Sequence, residues 1–163
     1  MIVMGLDPGI VNTGYAVINF KEKEPVVSDF GCIRTDSASD FSLRLKHIYD
    51  NLVWIIQQYK PHAMALEEVI YAKNVKIALK MGHARGVTLL AASNNGLTTS
   101  EYSPKEIKLA ATGNGGASKQ QVSRMVAQLL NLPQPPSSFD VTDAMAVAIC
   151  HGYRKMKNQL YYK

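Results

Sequence analysis

Cysteine is scarce: Cys32 and Cys150 are the only two in 163 residues, far apart and in no CxxC pair. That excludes a disulfide framework and a cysteine-based zinc site, and reads as free thiols in a reducing cytosol. Long apolar runs are also missing. Lys, Glu or Asn interrupts the longest stretches within about ten positions, well short of the roughly 20 residues a membrane helix needs. The opening MIVMGLD has no basic segment and reaches an acid at Asp7, so no signal peptide is expected. The expectation is a cytoplasmic protein with no membrane attachment. Acids are thin as well, 13 against 18 Lys and Arg, and none lies between Val69 and Ser100. The net charge of +5 and the pI near 9.2 favour a polyanionic partner. Repeats, low-complexity tracts and linkers are absent too, so one domain is expected over residues 1–155, followed by a flexible basic tail at 156–163.

What is present is a globular composition, 47% hydrophobic and 19% charged, in a chain long enough to bury roughly 70% of its unfolded surface. Ile2 to Leu6 is an apolar run ending at Asp7-Pro8-Gly9, which predicts a buried strand and a turn. Gly14 to Phe20 and Pro25 to Thr35 predict two further strands in an antiparallel meander. Leu45, Ile48, Leu52, Ile55 and Tyr59 recur at helical spacing. A strand at Ala63 to Glu67, a helix from about Asn74 to Asn94 and a strand at Thr98 to Tyr102 follow. Ser103-Pro104-Lys105-Glu106 and Ser118-Lys119-Gln120-Gln121 are capping-box starts. The second opens a helix to about Leu130, and a last helix runs from near Ser138 to about Lys155. The order predicts an α/β fold, a mixed central sheet with helices on both faces.

Four acids stand in unusual places. Asp7 ends an apolar strand, where it reads equally as a turn residue. Glu67 ends another, and reads also as a solvated strand end beside Glu68; strand ends are where α/β sheets build sites. Asp140 and Asp143 share a helix face, with Cβ atoms about 5–6 Å apart. Asp140 also fits a capping box with Ser137. Asp143 begins the run Ala144-Met145-Ala146-Val147-Ala148-Ile149-Cys150, which is apolar on all sides. An ionised carboxylate there is costly unless a cation or donor answers it, and magnesium takes oxygen ligands. Together the four suggest a two-metal phosphoryl-transfer site.

DPG after the first strand, TGYAVI, ALEEV, AKNVKIALKMGHARG, GASKQQV and DVTDAMAVAI, in this order and spacing, resemble the RuvC family of Holliday-junction resolvases. The likeness covers Ile2 to about His151. It implies an RNase H-like fold and a homodimer that cuts four-way junction DNA by paired symmetrical hydrolysis, with water rather than a side chain as nucleophile. It implies Mg2+ as cofactor, two ions with Mn2+ as a substitute, held by Asp7, Glu67, Asp140 and Asp143. Glu67 is preferred over Glu68 for its place before the V-x-x-A-K-N segment. Lys119 matches a basic residue near the active site, and Lys108 another lysine near the DNA. A junction branch-migration complex of the RuvA/RuvB type is an implied partner.

The middle helix carries Lys73, Lys76 and Lys80 as a stripe suited to a phosphate backbone or, equally, to solvent. Ala78, Gly82 and Gly86 form a flat ridge at four-residue spacing, and Gly in a helix costs about 1 kcal/mol against Ala, so packing is the expected reason. The resemblance places this ridge at the dimer interface, whereas packing on the chain's own sheet would explain it as well. Where the family often has an aromatic after the strand-end Glu, this chain has Ile70 followed by Tyr71, both candidates for contacting the junction. Two readings compete within the fold, a non-catalytic junction-binding module and a nuclease for RNA–DNA hybrids. A third, an actin-like ATPase suggested by Asp7-Pro8-Gly9, needs two lobes, and Gly113-x-Gly115-Gly116 lacks the Lys-Ser/Thr ending of a phosphate loop.

Overall fold

The computed structural model describes residues 1–21, 24–68 and 74–161, with side chains to Lys157. Five strands and five helices follow in the order β1 (Ile2–Asp7), β2 (Asn12–Lys21), β3 (Glu24–Arg34), α1 (Phe41–Tyr59), β4 (Ala63–Glu67), α2 (Val75–Asn94), β5 (Thr98–Tyr102), α3 (Pro104–Thr112), α4 (Lys119–Leu129) and α5 (Phe139–Tyr161). The strands form one mixed sheet in the order β3-β2-β1-β4-β5. β1, β2 and β3 make the antiparallel meander, while β4 runs parallel to β1 and β5 parallel to β4. The expected elements are all there, most with ends shifted by a few residues.

Strand parity sorts the core into two layers. Met4, Leu6, Val17, Met64 and Leu66 face one way and pack with Ile48, Leu52, Ile55 and Ile56 of α1 and Ala91 and Ala92 of α2. Val3, Ala16, Ile18 and Ala65 face the other way and pack with α3, α4 and the buried run Ala144 to Cys150 of α5. α1 begins at Phe41, four residues before its apolar pattern starts, and stops at Lys60, which is left-handed at φ 47°. Both capping boxes are formed: the Glu106 amide donates to Ser103 Oγ and the Gln121 amide to Ser118 Oγ, with the reciprocal side-chain contacts in place. Such caps are worth about 1 kcal/mol each.

α5 crosses β1 and β2 unusually closely because two strand positions lack a side chain. A Cβ on Gly5 would lie 2.0 Å from the Ala144 carbonyl oxygen, and one on Gly14 would lie 2.0 Å from that of Asp140. The helix continues to Tyr161, past the Lys155 end that the sequence pattern suggests, so residues 156–161 extend α5.

Candidate active site

The same parity that builds the core aims two of the acids. Asp7 follows Val3 and Gly5 on the α5 side of β1, and Glu67 follows Ala65 on the α5 side of β4. Leu6 and Leu66 are register partners in the parallel pair, so the two acids end neighbouring strands. Glu68 is exposed, its amide donating to the Tyr102 carbonyl at 2.8 Å, whereas Glu67 is half-buried. Asp7 pairs with Gly14 across the meander, and Gly14 is where the Asp140 backbone meets the sheet. The close crossing of α5 thus carries Asp140, and Asp143 one turn on, to the ends of β1 and β4.

Their electrostatics are those of a crowded anionic site. Burial, then the charges of Asp143, Asp140 and Glu67, raise the Asp7 carboxyl to about 7, against a weaker opposing pull from Lys119. Burial and Asp143 likewise push Glu67 up, while Lys119 and Lys108 draw it down. The turn reading of Asp7 loses ground here. Thr13 closes that turn, its hydroxyl donating to the Gly9 carbonyl at 2.7 Å, and among the described residues no hydrogen bond reaches the Asp7 carboxylate. At α5 the cap is Ser138 rather than Ser137: the Thr142 amide donates to its carbonyl, and its hydroxyl donates to Asp140 Oδ2 at 3.3 Å. The helix begins one residue later than a Ser137 box requires.

Lys119, first residue of α4, donates to Asp143 Oδ2 at 3.1 Å, which holds its ammonium above the usual lysine range. Glu67, Lys108, Lys119 and Asp143 line one cavity of about 150 Å³, walled by Pro104, Ile107 and Val122. Among the described residues, no three His, Cys, Asp or Glu are gathered closely enough to hold a metal ion as they stand. Lys119 provides the positive charge beside Asp143 in this arrangement. The donor chemistry nonetheless fits a hard divalent cation: four carboxylates, oxygen only, with two raised by burial and by the charges of their acidic neighbours.

The raised Asp7 carboxyl, shifted first by burial and then by its acidic neighbours, has a measurable consequence. Between the ordinary value of 3.8 and about 7 the folded chain holds a proton on Asp7 that the unfolded chain has released. Stability is therefore lost as pH rises through that window, by up to about 4 kcal/mol. In chelator-treated protein, thermal unfolding of wild type relative to Asp7→Asn is expected to fall from pH 4 to 7 and level off above. Magnesium at pH 8 should close the gap.

The other sequence candidates lie on α2. Lys76 and Lys80 are exposed. Ala78, Gly82 and Gly86 line an open apolar groove of about 690 Å³ with Val75, Leu79 and Leu90. A Cβ on Gly82 or Gly86 would meet nothing within 4 Å, so the ridge does not pack on the chain's own sheet, and that explanation of it is corrected. Ile70, Tyr71 and Lys73 lie outside the described residues. Sequence reasoning missed Gly5 and Gly14. It also missed Phe139, an exposed ring with Lys119 Nζ 5.9 Å from its centroid, and Arg85, whose Nη1 donates to the Glu67 carbonyl at 2.9 Å.

With this geometry in hand, comparison with known proteins is direct. The family model described as crossover junction endodeoxyribonuclease RuvC matches residues 3–151. A crossover junction endodeoxyribonuclease RuvC of Desulforamulus reducens is 47% identical over 151 residues, covering 93% of each chain. Thermus thermophilus RuvC, solved alone, superposes with a TM-score of 0.88 at 30% identity, covering 96% of this chain and 97% of that one. The same protein solved in complex with a Holliday junction substrate gives 0.91 at 30% identity, with 96% of each covered. A mixed sheet between two helical layers, four acids converging where α5 meets the strand ends, and likeness along nearly the whole chain agree: this protein belongs to the RuvC family of crossover junction endodeoxyribonucleases and has the RNase H-like fold.

Proposed function

We propose that this chain resolves four-way DNA junctions, hydrolysing one phosphodiester in each of two opposed strands within homologous recombination and repair. It does so as a metal-dependent enzyme whose cations are held by Asp7, Glu67, Asp140 and Asp143. The observation that carries this reading is the group of half-buried carboxylates at the strand ends. A surface that only bound DNA would gain nothing from an acid that burial, and then the charges of its acidic neighbours, raise to about 7. Magnesium, two ions with manganese able to replace them, supplies Lewis-acid charge at the attacked phosphate when bound.

The chain's own residues do the rest. Lys119, its side chain 64% exposed, turns from Asp143 to the scissile phosphate and offsets its charge. Lys108, on the wall of the same cavity, contacts the neighbouring backbone. Lys76 and Lys80, exposed on α2, track the junction strands, and Ile70, Tyr71 and Lys73 are further DNA contacts on sequence grounds alone. Alanine at Lys76 and Lys80 together should reduce the salt slope of binding by about two.

Two opposed cuts need two sites, and a second copy docked along α2 supplies the other. Val75 and Leu79 are 72% and 59% exposed beside the Gly82–Gly86 groove, an apolar face that a partner helix would cover. Gly82→Glu places a charge there without a clash inside the chain and improves helix propensity. A folded monomer is expected, with dimer affinity weakened on the order of 100-fold, about 3 kcal/mol. Light scattering over a dilution series checks it; an unchanged dimer removes α2 from the interface. Free Cys32 and Cys150 suit a reducing cytoplasm, and none of the described helices is long and apolar enough to cross a membrane. A branch-migration complex of the RuvA/RuvB type remains a proposed partner on family grounds, to be tested by co-purification on junction DNA.

A further inference from the structure

Glu67 is held from behind. Its side chain projects to the α5 face, while its carbonyl oxygen accepts from Arg85 Nη1 at 2.9 Å, a donor that arrives from α2 on the opposite face of the sheet. The Arg85 side chain is only 14% exposed, and its Nη2 lies 2.7 Å from Glu101 Oε2 of β5. Nη2 is buried and out of hydrogen-bond alignment in that contact, so charge rather than geometry holds this second arm. Leu66 and Glu101 are register neighbours, so one planar fork spans the ends of β4 and β5. One residue on, the Glu68 amide is fixed to the Tyr102 carbonyl at 2.8 Å. The chain is thus pinned on both sides of the peptide that leaves the sheet.

We propose that Arg85 is a positioning residue for the reaction: it fixes the backbone of Glu67, and through it the angle at which the Glu67 carboxylate enters the metal site. This rests on the reading of Glu67 as a metal ligand. Arg85 touches neither substrate nor carboxylate, and its effect travels through one carbonyl. A guanidinium offers separate nitrogens, one donating to the Glu67 carbonyl while another lies beside the Glu101 carboxylate. A lysine keeps the charge but has a single nitrogen, so Arg85→Lys is a partial replacement and Arg85→Met is none.

The test compares Arg85→Met, Arg85→Lys, Glu101→Gln and Glu67→Gln. Junction cleavage at saturating magnesium is measured beside calorimetric Mn2+ titration without DNA, each variant first checked for thermal unfolding and oligomeric size. Folded, dimeric Arg85→Met is expected to lose about 10- to 100-fold in kcat with KM for the junction unchanged, and to bind Mn2+ about tenfold more weakly. Arg85→Lys should recover part of both losses, and Glu101→Gln should shift both in the direction of Arg85→Met by a few-fold. Wild-type kcat and Mn2+ affinity in folded Arg85→Met overturn the proposal, as does a monomeric variant or a loss that lies wholly in KM. Should Arg85→Met fail to fold, wild-type behaviour of both Arg85→Lys and Glu101→Gln overturns it instead. Glu67→Gln separates the two layers: if it cleaves normally, the metal-ligand reading itself fails. If it is inactive while the Arg85 variants are normal, only the positioning role fails.

Discussion

Asp143→Asn is expected to lower junction cleavage by at least about 10³-fold while junction binding is kept or tightened. The magnitude follows from deleting a charge that acts only on the reacting phosphate and its cations, where single electrostatic groups are worth about 10²–10³ in kcat, compounded by weaker metal binding. The substitution is isosteric, so the buried run Ala144 to Cys150 keeps its packing. It removes the neighbouring charge that raises both Asp7 and Glu67 most, so chelator-treated Asp143→Asn should unfold at a higher temperature than wild type at pH 8. It also frees Lys119 from its 3.1 Å partner, which adds an unpaired cation for DNA. Loss of activity with a gain in stability and no loss of binding is a combination that a structural role for Asp143 does not produce. Glu68→Gln is the control. Glu68 is exposed, and near-normal cleavage is expected.

Gly14→Ala is expected to damage stability and cleavage together. The new Cβ would stand 2.0 Å from the Asp140 carbonyl oxygen and 2.9 Å from the Val141 nitrogen, backbone atoms that cannot swing aside. Either α5 moves off the sheet or β2 bends, at a cost of about 3 kcal/mol for overpacking of this kind. Because the displaced turn carries Asp140 and Asp143, a shift of about 1 Å there is enough to cost on the order of 10² in rate. Thermal unfolding and cleavage should fall together. Gly82→Ala, whose Cβ meets nothing within 4 Å, should leave the unfolding temperature of the single chain unchanged or raised. A Gly14→Ala variant with normal stability and rate would mean that the close crossing of α5 is not what places the acids.

Much of this architecture is legible in local pattern. Period-two strands put Asp7 and Glu67 on one face once a buried sheet is assumed, and period-three spacing aligned Asp140 with Asp143. The capping boxes at Ser103 and Ser118 are short-range chemistry and read directly. The features that were not legible depend on what another element does. Gly5 and Gly14 look like ordinary strand glycines until α5 lies across them. Arg85 reads as one more basic residue on a basic helix until its fork is seen against the Glu67 carbonyl and Glu101. The ridge Ala78-Gly82-Gly86 signals close packing from sequence, but only the open groove excludes the chain's own sheet as the partner. Phe139 opens α5, and its exposed ring beside Lys119 has no local signature. α5 outruns its sequence pattern because apolar periodicity fades after Gly152 while the backbone continues to Tyr161.

The most direct test is cleavage of a branch-migratable four-way junction, each strand labelled in turn, with magnesium and with chelator, beside a linear duplex and an RNA–DNA hybrid. The account predicts nicks at symmetrical positions on two opposed strands, dependent on magnesium and absent from the duplex and the hybrid. Tight junction binding without cuts in either magnesium or manganese would contradict it and return the four carboxylates to structural roles. Preferential cutting of the hybrid would contradict it as well, and leave the same metal site serving a different nucleic acid.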